Sequence, residues 1–198
     1  MIILRLNRHF LPALLTALFC TCSFAAVSAE TNLPYDRVYR IPLRVHLGKS
    51  NRPPEQWRTI LEEINTIWLS QGGICFDIHT VGHDEKMSKG MDLWFEAAIP
   101  EWNGYYYDHH DMHVRDDPDL RPAQSPARSS AARTAAHELG HALNLMHLQN
   151  SDDNLMRSKT YGWQLHPGEI KIARENAQIL ALAETDRRSC TVRIHNNP

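Results

Sequence analysis

The sequence lacks a surplus of charge of either sign: its 198 residues hold 21 Lys+Arg against 23 Asp+Glu, a formal net charge of −2. No basic stripe is present, which argues against a nucleic-acid partner. Internal repeats and low-complexity linkers are also missing, so the length corresponds to one domain or a small two-lobed one. Hydrophobic residues at 42% and charged residues at 22% are those of an ordinary globular protein. Cysteine is scarce, four in all. Neither Cys20 nor Cys22 follows a lipobox-like tripeptide, so a lipid anchor is not expected.

One long apolar run exists, at the start. Arg5, Arg8 and His9 form a basic opening, Phe10 to Val27 is almost entirely apolar or small, and Val27-Ser28-Ala29 offers small residues at the exit. This is the pattern of a secretory signal, cleaved before Glu30. A stretch of that length would just span a bilayer, but the small-residue exit favours cleavage over a stable membrane anchor. Residues 1–29 are therefore expected to be a signal peptide and 30–198 the working domain, secreted or periplasmic. Loss of the two leader arginines leaves 19 Lys+Arg against 23 Asp+Glu, a net −4. Only Cys75 and Cys190 remain. In an oxidising compartment they either pair or stay as two buried thiols, and pairing would tie the C-terminal tail to an early strand.

Residues 39–47 alternate apolar and polar as a half-buried strand does, with Pro42 implying an irregular start or an edge position. Asn51 to Pro54 opens a helix whose Trp57, Ile60, Leu61, Ile64, Ile67 and Trp68 share one face, closed by Gly72-Gly73. Strands follow at 74–81, 91–99, 104–109 and 111–116, then a proline-rich loop at 117–127. Ser129 or Ser130 caps an alanine-rich helix running to about Asn144. Residues 147–162 have little periodicity, and a last helix is predicted over 167–184.

The alanine-rich helix carries His137-Glu138-Leu139-Gly140-His141, and His147 follows six residues later. Histidines four apart lie one above the other on a helix. His147 is too far along a straight helix to join them, so the chain must turn, and Asn144 is the residue best suited to the left-handed region. A zinc hydrolase needs three protein ligands and one open position, and neutral imidazoles suit zinc. The ligands read here are His137, His141 and His147 on one Zn2+ ion. Glu138 is the general base that takes a proton from water and returns it to the leaving amine.

The extended pattern of two histidines, Gly or Asn, and a third histidine resembles the zinc signature of the metzincin metallopeptidases. Asn154-Leu155-Met156, nine residues after His147, is similar to their methionine turn, and so short a gap is matrixin-like. Asp111-Met112-His113-Val114 resembles the strand before the active-site helix of matrixins, and Leu165 to Ile170 the start of their last helix. The likeness covers most of 37–185. It implies that Met156 supports the metal from below and that a peptide substrate pairs with the edge strand near Gly104–His109. It departs from the family in several places. Ser158 stands where astacins and serralysins have a zinc-binding tyrosine. The matrixin Pro-x-Tyr wall is missing after Met156, leaving Tyr161 or Trp163 to line the pocket. No cysteine switch is visible, and a long pro-segment is not expected.

His109, His110 and His113, with Asp108 and Asp111, read as a solvated rim rather than a second metal site, with His83-Asp84 nearby in sequence. The fold expected is α+β: a twisted, mixed five-stranded sheet, a backing helix, the active-site helix, and a small irregular C-terminal lobe ending in a helix. The function expected is an exported zinc endopeptidase. A zinc amide hydrolase acting on cell-wall peptide and a zinc-retaining binding module are the alternatives, and intact Glu138 argues against the second.

Overall fold

A computed structural model describes residues 35–81, 90–107, 111–120, 129–159, 162–185 and 189–195. All lie within the compact unit Asn32–Pro198. The expected signal peptide, His83, Asp84, Asp108, His109, His110 and Tyr161 fall outside the described residues, as does the 108–109 end of the expected edge strand.

Strand β1 (Val38–Lys49) sits inside the sheet, followed by α1 (Pro54–Gly72), β2 (Ile74–Val81), β3 (Met91–Glu96), β4 (Gly104–Tyr107) and β5 (Asp111–Arg115). Then come α2 (Ser130–Ala142), α3 (Pro167–Leu180), β6 (Ala183–Thr185) and β7 (Val192–Arg193). The sheet runs β4-β5-β3-β1-β2-β7, with β6 pairing β1. Pairing is parallel except for β4 against β5 and β6 against β1. Among the described residues the fold is thus mixed α+β, with a seven-stranded, mostly parallel sheet and three helices. The five strands read from the sequence form its body; the two short C-terminal ones were not expected.

Alternation decides which face each strand buries. Register places Ile41 beside Phe76, Leu43 beside Ile78, Val45 beside Leu93, and Leu93 beside Met112. These residues share one face and join the core with Trp57, Ile60, Leu61, Ile64, Ile67 and Trp68 of α1. Parallel strands need such a covering helix. The helix ends where Gly73 adopts φ 60. Buried Asn65 acts as a surrogate strand neighbour: its Nδ2 donates to the Phe76 carbonyl (2.9 Å) and its Oδ1 accepts from Phe76 N–H (2.8 Å).

Pro42 predicts an irregular start or an edge, yet β1 is central. Strand β2 flanks it from Tyr39 to His46. On the other side β6 covers Val38–Arg40 and β3 begins at Leu43, so the proline faces the gap between them. A residue without an N–H is tolerated there because no ladder bond is asked of it.

The last helix stops at Leu180, short of the predicted 184. Ala181 is extended, Leu182 N–H donates to the Arg40 carbonyl (3.1 Å), and Ala183–Thr185 pairs with the start of β1. The unpaired edge of β1 wins over helical periodicity because it satisfies backbone groups that the helix end would leave open.

Cys75 and Cys190 form a disulfide across 115 residues of sequence. It holds the tail so that β7 pairs with Ile78–His79 of β2. No helix among the described residues is long and apolar enough to cross a membrane.

A cross-link closing so long a loop restricts the unfolded chain by about 4–5 kcal/mol in the entropic account. Replacing both cysteines by serine is expected to lower unfolding free energy in guanidinium by roughly 2–5 kcal/mol. An unchanged denaturation midpoint would show that the tail contributes nothing to global stability.

Candidate metal centre and cleft

Helix α2 starts cleanly because the Ser129 hydroxyl accepts from Ala132 N–H (3.2 Å). Its alanines bury one flank, and Trp68 Nε1 donates to the Ala136 carbonyl (3.2 Å), fixing α2 against α1. It ends in a two-bond turn: Asn144 N–H reaches the His141 carbonyl and Leu145 N–H the Gly140 carbonyl, both at 2.9 Å. Asn144 takes φ 64. This is the Schellman arrangement with asparagine in the left-handed position. It reverses the chain and brings His147 back toward the helix.

Two backbone carbonyls then aim the rings. His137 Nδ1 lies 2.7 Å from the Leu155 carbonyl, and His141 Nδ1 lies 2.8 Å from the Leu145 carbonyl. A carbonyl only accepts, so both Nδ1 atoms carry the proton and both Nε2 atoms present lone pairs. The three Nε2 atoms of His137, His141 and His147 form a triangle with sides of 3.1, 3.2 and 3.3 Å. Tetrahedral bonds of about 2.0–2.1 Å put two ligand nitrogens about 3.3 Å apart, so the triangle fits one ion with a fourth position open. The three rings are close enough to hold a metal.

Burial sets the protonation states. Desolvation lowers the His137 pKa to about 3, with the Leu155 hydrogen bond opposing and the neighbouring histidines adding to the shift. Desolvation likewise lowers that of His141. Both rings stay neutral at ordinary pH, as metal ligands must. Glu138, 5% exposed, is raised to about 8 by desolvation alone.

The Asn154–Met156 turn lies beside the histidines and supplies the Leu155 carbonyl. Asn154 Oδ1 accepts from Met156 N–H (2.6 Å), while its Nδ2 donates to Glu169 Oε2 (2.8 Å). Glu169 Oε2 also accepts from His166 N–H (2.6 Å), so the start of α3 anchors the turn. Met156 is fully buried, and a Cβ at Gly140 would overlap its Sδ. Gly140 is therefore the gap in α2 that the methionine fills. A glycine inside a helix costs about 1 kcal/mol relative to alanine and implies such a packing reason. Sequence reasoning passed over it, and over the Leu145 and Leu155 carbonyls, which carry no side-chain signal.

The histidines and Glu138 open into a cleft of about 790 Å³, also lined by Gly104, Tyr106, Thr134, Ser158 and Lys159. Strand β4 forms one rim, and among the described residues no strand pairs with its outer edge. Trp163 is not among the lining residues and packs instead against the core. Of the rim histidines, His113 is described: it meets Glu96 Oε1 at 2.6 Å and stacks between Trp94 and Tyr105. Among the described residues the only metal-type cluster is the triad. No protein-family model matches the chain, and no match was found among curated proteins.

Gly140→Ala is expected to push Met156 out of place, lowering stability by about 1–3 kcal/mol as overpacking does and weakening metal affinity roughly 10-fold or more. Melting and metal titration measure the two, and a variant with unchanged affinity would separate Met156 from the metal centre. Glu138 has an ordinary value of 4.5 and a folded value of about 8, so its burial opposes folding increasingly as pH rises through that window. Metal-free Glu138→Gln should gain on the wild type by an amount on the order of 3 kcal/mol between pH 5 and pH 8. Parallel stability profiles would contradict this.

Proposed function

We propose that this chain is an exported zinc-dependent endopeptidase of the metzincin type, matrixin-like in build, that hydrolyses peptide bonds with Glu138 as general base. The observation that carries the reading is the triangle of His137, His141 and His147 Nε2 atoms opening into one cleft with the buried Glu138. Three imidazoles in tetrahedral array with one position free are the donor set of a catalytic rather than a structural zinc site. A purely structural site has no use for the adjacent carboxylate.

When bound, the ion supplies Lewis acidity toward water and the scissile carbonyl, and its charge draws Glu138 back toward the carboxylate form. Glu138 then accepts a proton from the attacking water and delivers it to the departing amine. Hydrogen bonds from His137 to Leu155 and from His141 to Leu145 keep the rings in one tautomer and orientation through the cycle. Among the described residues no strand covers the outer edge of β4, which suits an extended peptide laid across the cleft. The signal-like leader supports action outside the cytoplasm.

Residues 30–198 are expected to cleave a mixed peptide library, to lose that activity to a chelator and to regain it with zinc. Glu138→Gln should bind one zinc per chain yet hydrolyse about 10²–10⁴-fold more slowly. Full activity in Glu138→Gln would sink the proposed mechanism.

A further inference from the structure

Gly104 opens β4, paired with Val114 of β5. Its backbone is not among those with positive φ, so the conformation itself admits any residue. Space does not. A Cβ at 104 would lie 2.9 Å from Glu138 Oε1, 2.9 Å from Thr134 Cγ2 and 3.0 Å from the His113 carbonyl oxygen. Thr134 and Glu138 are one turn apart on α2 and both buried, at 4% and 5% exposure. The Glu138 carboxyl is thus held inside the protein, with Oε1 at the start of β4. What locates the carboxyl is steric: it rests on bare backbone at the start of the edge strand, with the Thr134 methyl beside it.

We propose that Gly104 is a positioning residue for the general base: the missing side chain forms a socket, walled by Thr134, that registers the Glu138 carboxylate against the strand along which substrate lies. This inference rests on the hydrolase reading above. The consequence is that base and substrate share one frame of reference. A peptide hydrogen-bonded to β4 is placed relative to the same backbone that stops the carboxylate. Of the three atoms a Cβ would meet, the carboxylate oxygen is the end of a flexible chain and yields first, whereas the His113 carbonyl is fixed in the β4–β5 ladder. An alanine at 104 therefore moves the base while leaving the three histidines in place. Displacements near 1 Å at a reacting group cost about 10²-fold in rate.

The test is a double-mutant cycle of Gly104→Ala with Glu138→Asp, which withdraws the carboxylate by one methylene. Each protein is read by melting temperature, zinc content, kcat and KM on a peptide substrate. Gly104→Ala alone is expected to lower kcat by about 10–100-fold, with KM changed by less than about threefold and one zinc retained, and to lower the melting temperature by several degrees. In the Glu138→Asp background the same change should lose most of both effects, because the contact it makes is gone. Equal losses in the two backgrounds overturn the role given to Gly104, as does an effect carried wholly by KM. Thr134→Ala is a second handle that adds no atom: it should lower kcat about 3–10-fold at unchanged KM and zinc content, and an unchanged kcat overturns the socket. An active wild type with uncoupled losses removes the Gly104 role alone. Coupled melting in a protein that hydrolyses no peptide removes the hydrolase reading, and the catalytic role of Gly104 with it.

Discussion

Three imidazole nitrogens are held 3.1–3.3 Å apart, and those of His137 and His141 turn their lone pairs toward one point where a cation would relieve their repulsion. The surrounding structure enforces that arrangement. The carbonyls of Leu145 and Leu155 fix two of the rings, and the left-handed Asn144 returns the third. Behind Leu155 stands a chain of support from Asn154 to Glu169 to the start of α3. Gln71, at the end of α1, adds to it: its Nε2 donates to the Trp163 carbonyl (2.8 Å) and its Oε1 accepts from Leu165 N–H (2.7 Å). Neutral rings, lowered in basicity by burial, complete a site preorganised for a metal.

Close approach is the second constraint. Alanines along α2 let it lie against α1 and the β4–β5 edge. Gly140 admits Met156, and Gly104 admits the carboxylate of Glu138. The centre is thus bounded by two glycines whose backbone conformations would accept a side chain. Their value lies in the atoms they do not have.

Side-chain spacing made much of this legible in the sequence. His137 and His141 on one helical face, Asn144 as pivot, Ser129 as cap and the apolar stripe of α1 all follow from periodicity and local propensity. Strands β6 and β7, of three and two residues, are too short to show a period. The end of α3 was misplaced because its apolar spacing continues to Ala181, and only the open edge of β1 decides otherwise. Pairing of Cys75 with Cys190 depends on a distance that spacing in sequence does not reveal. The carbonyls that orient the histidines are equally silent in sequence, since every residue has one.

The central claim is that His137, His141 and His147 hold one tetrahedral ion with a position left for water. X-ray absorption on the zinc-loaded 30–198 protein tests it most directly. The expected shell is three imidazole nitrogens and one oxygen at about 2.0–2.1 Å, with one zinc per chain. A six-coordinate, oxygen-dominated shell, or zinc that fails to bind in stoichiometric amount, would contradict it.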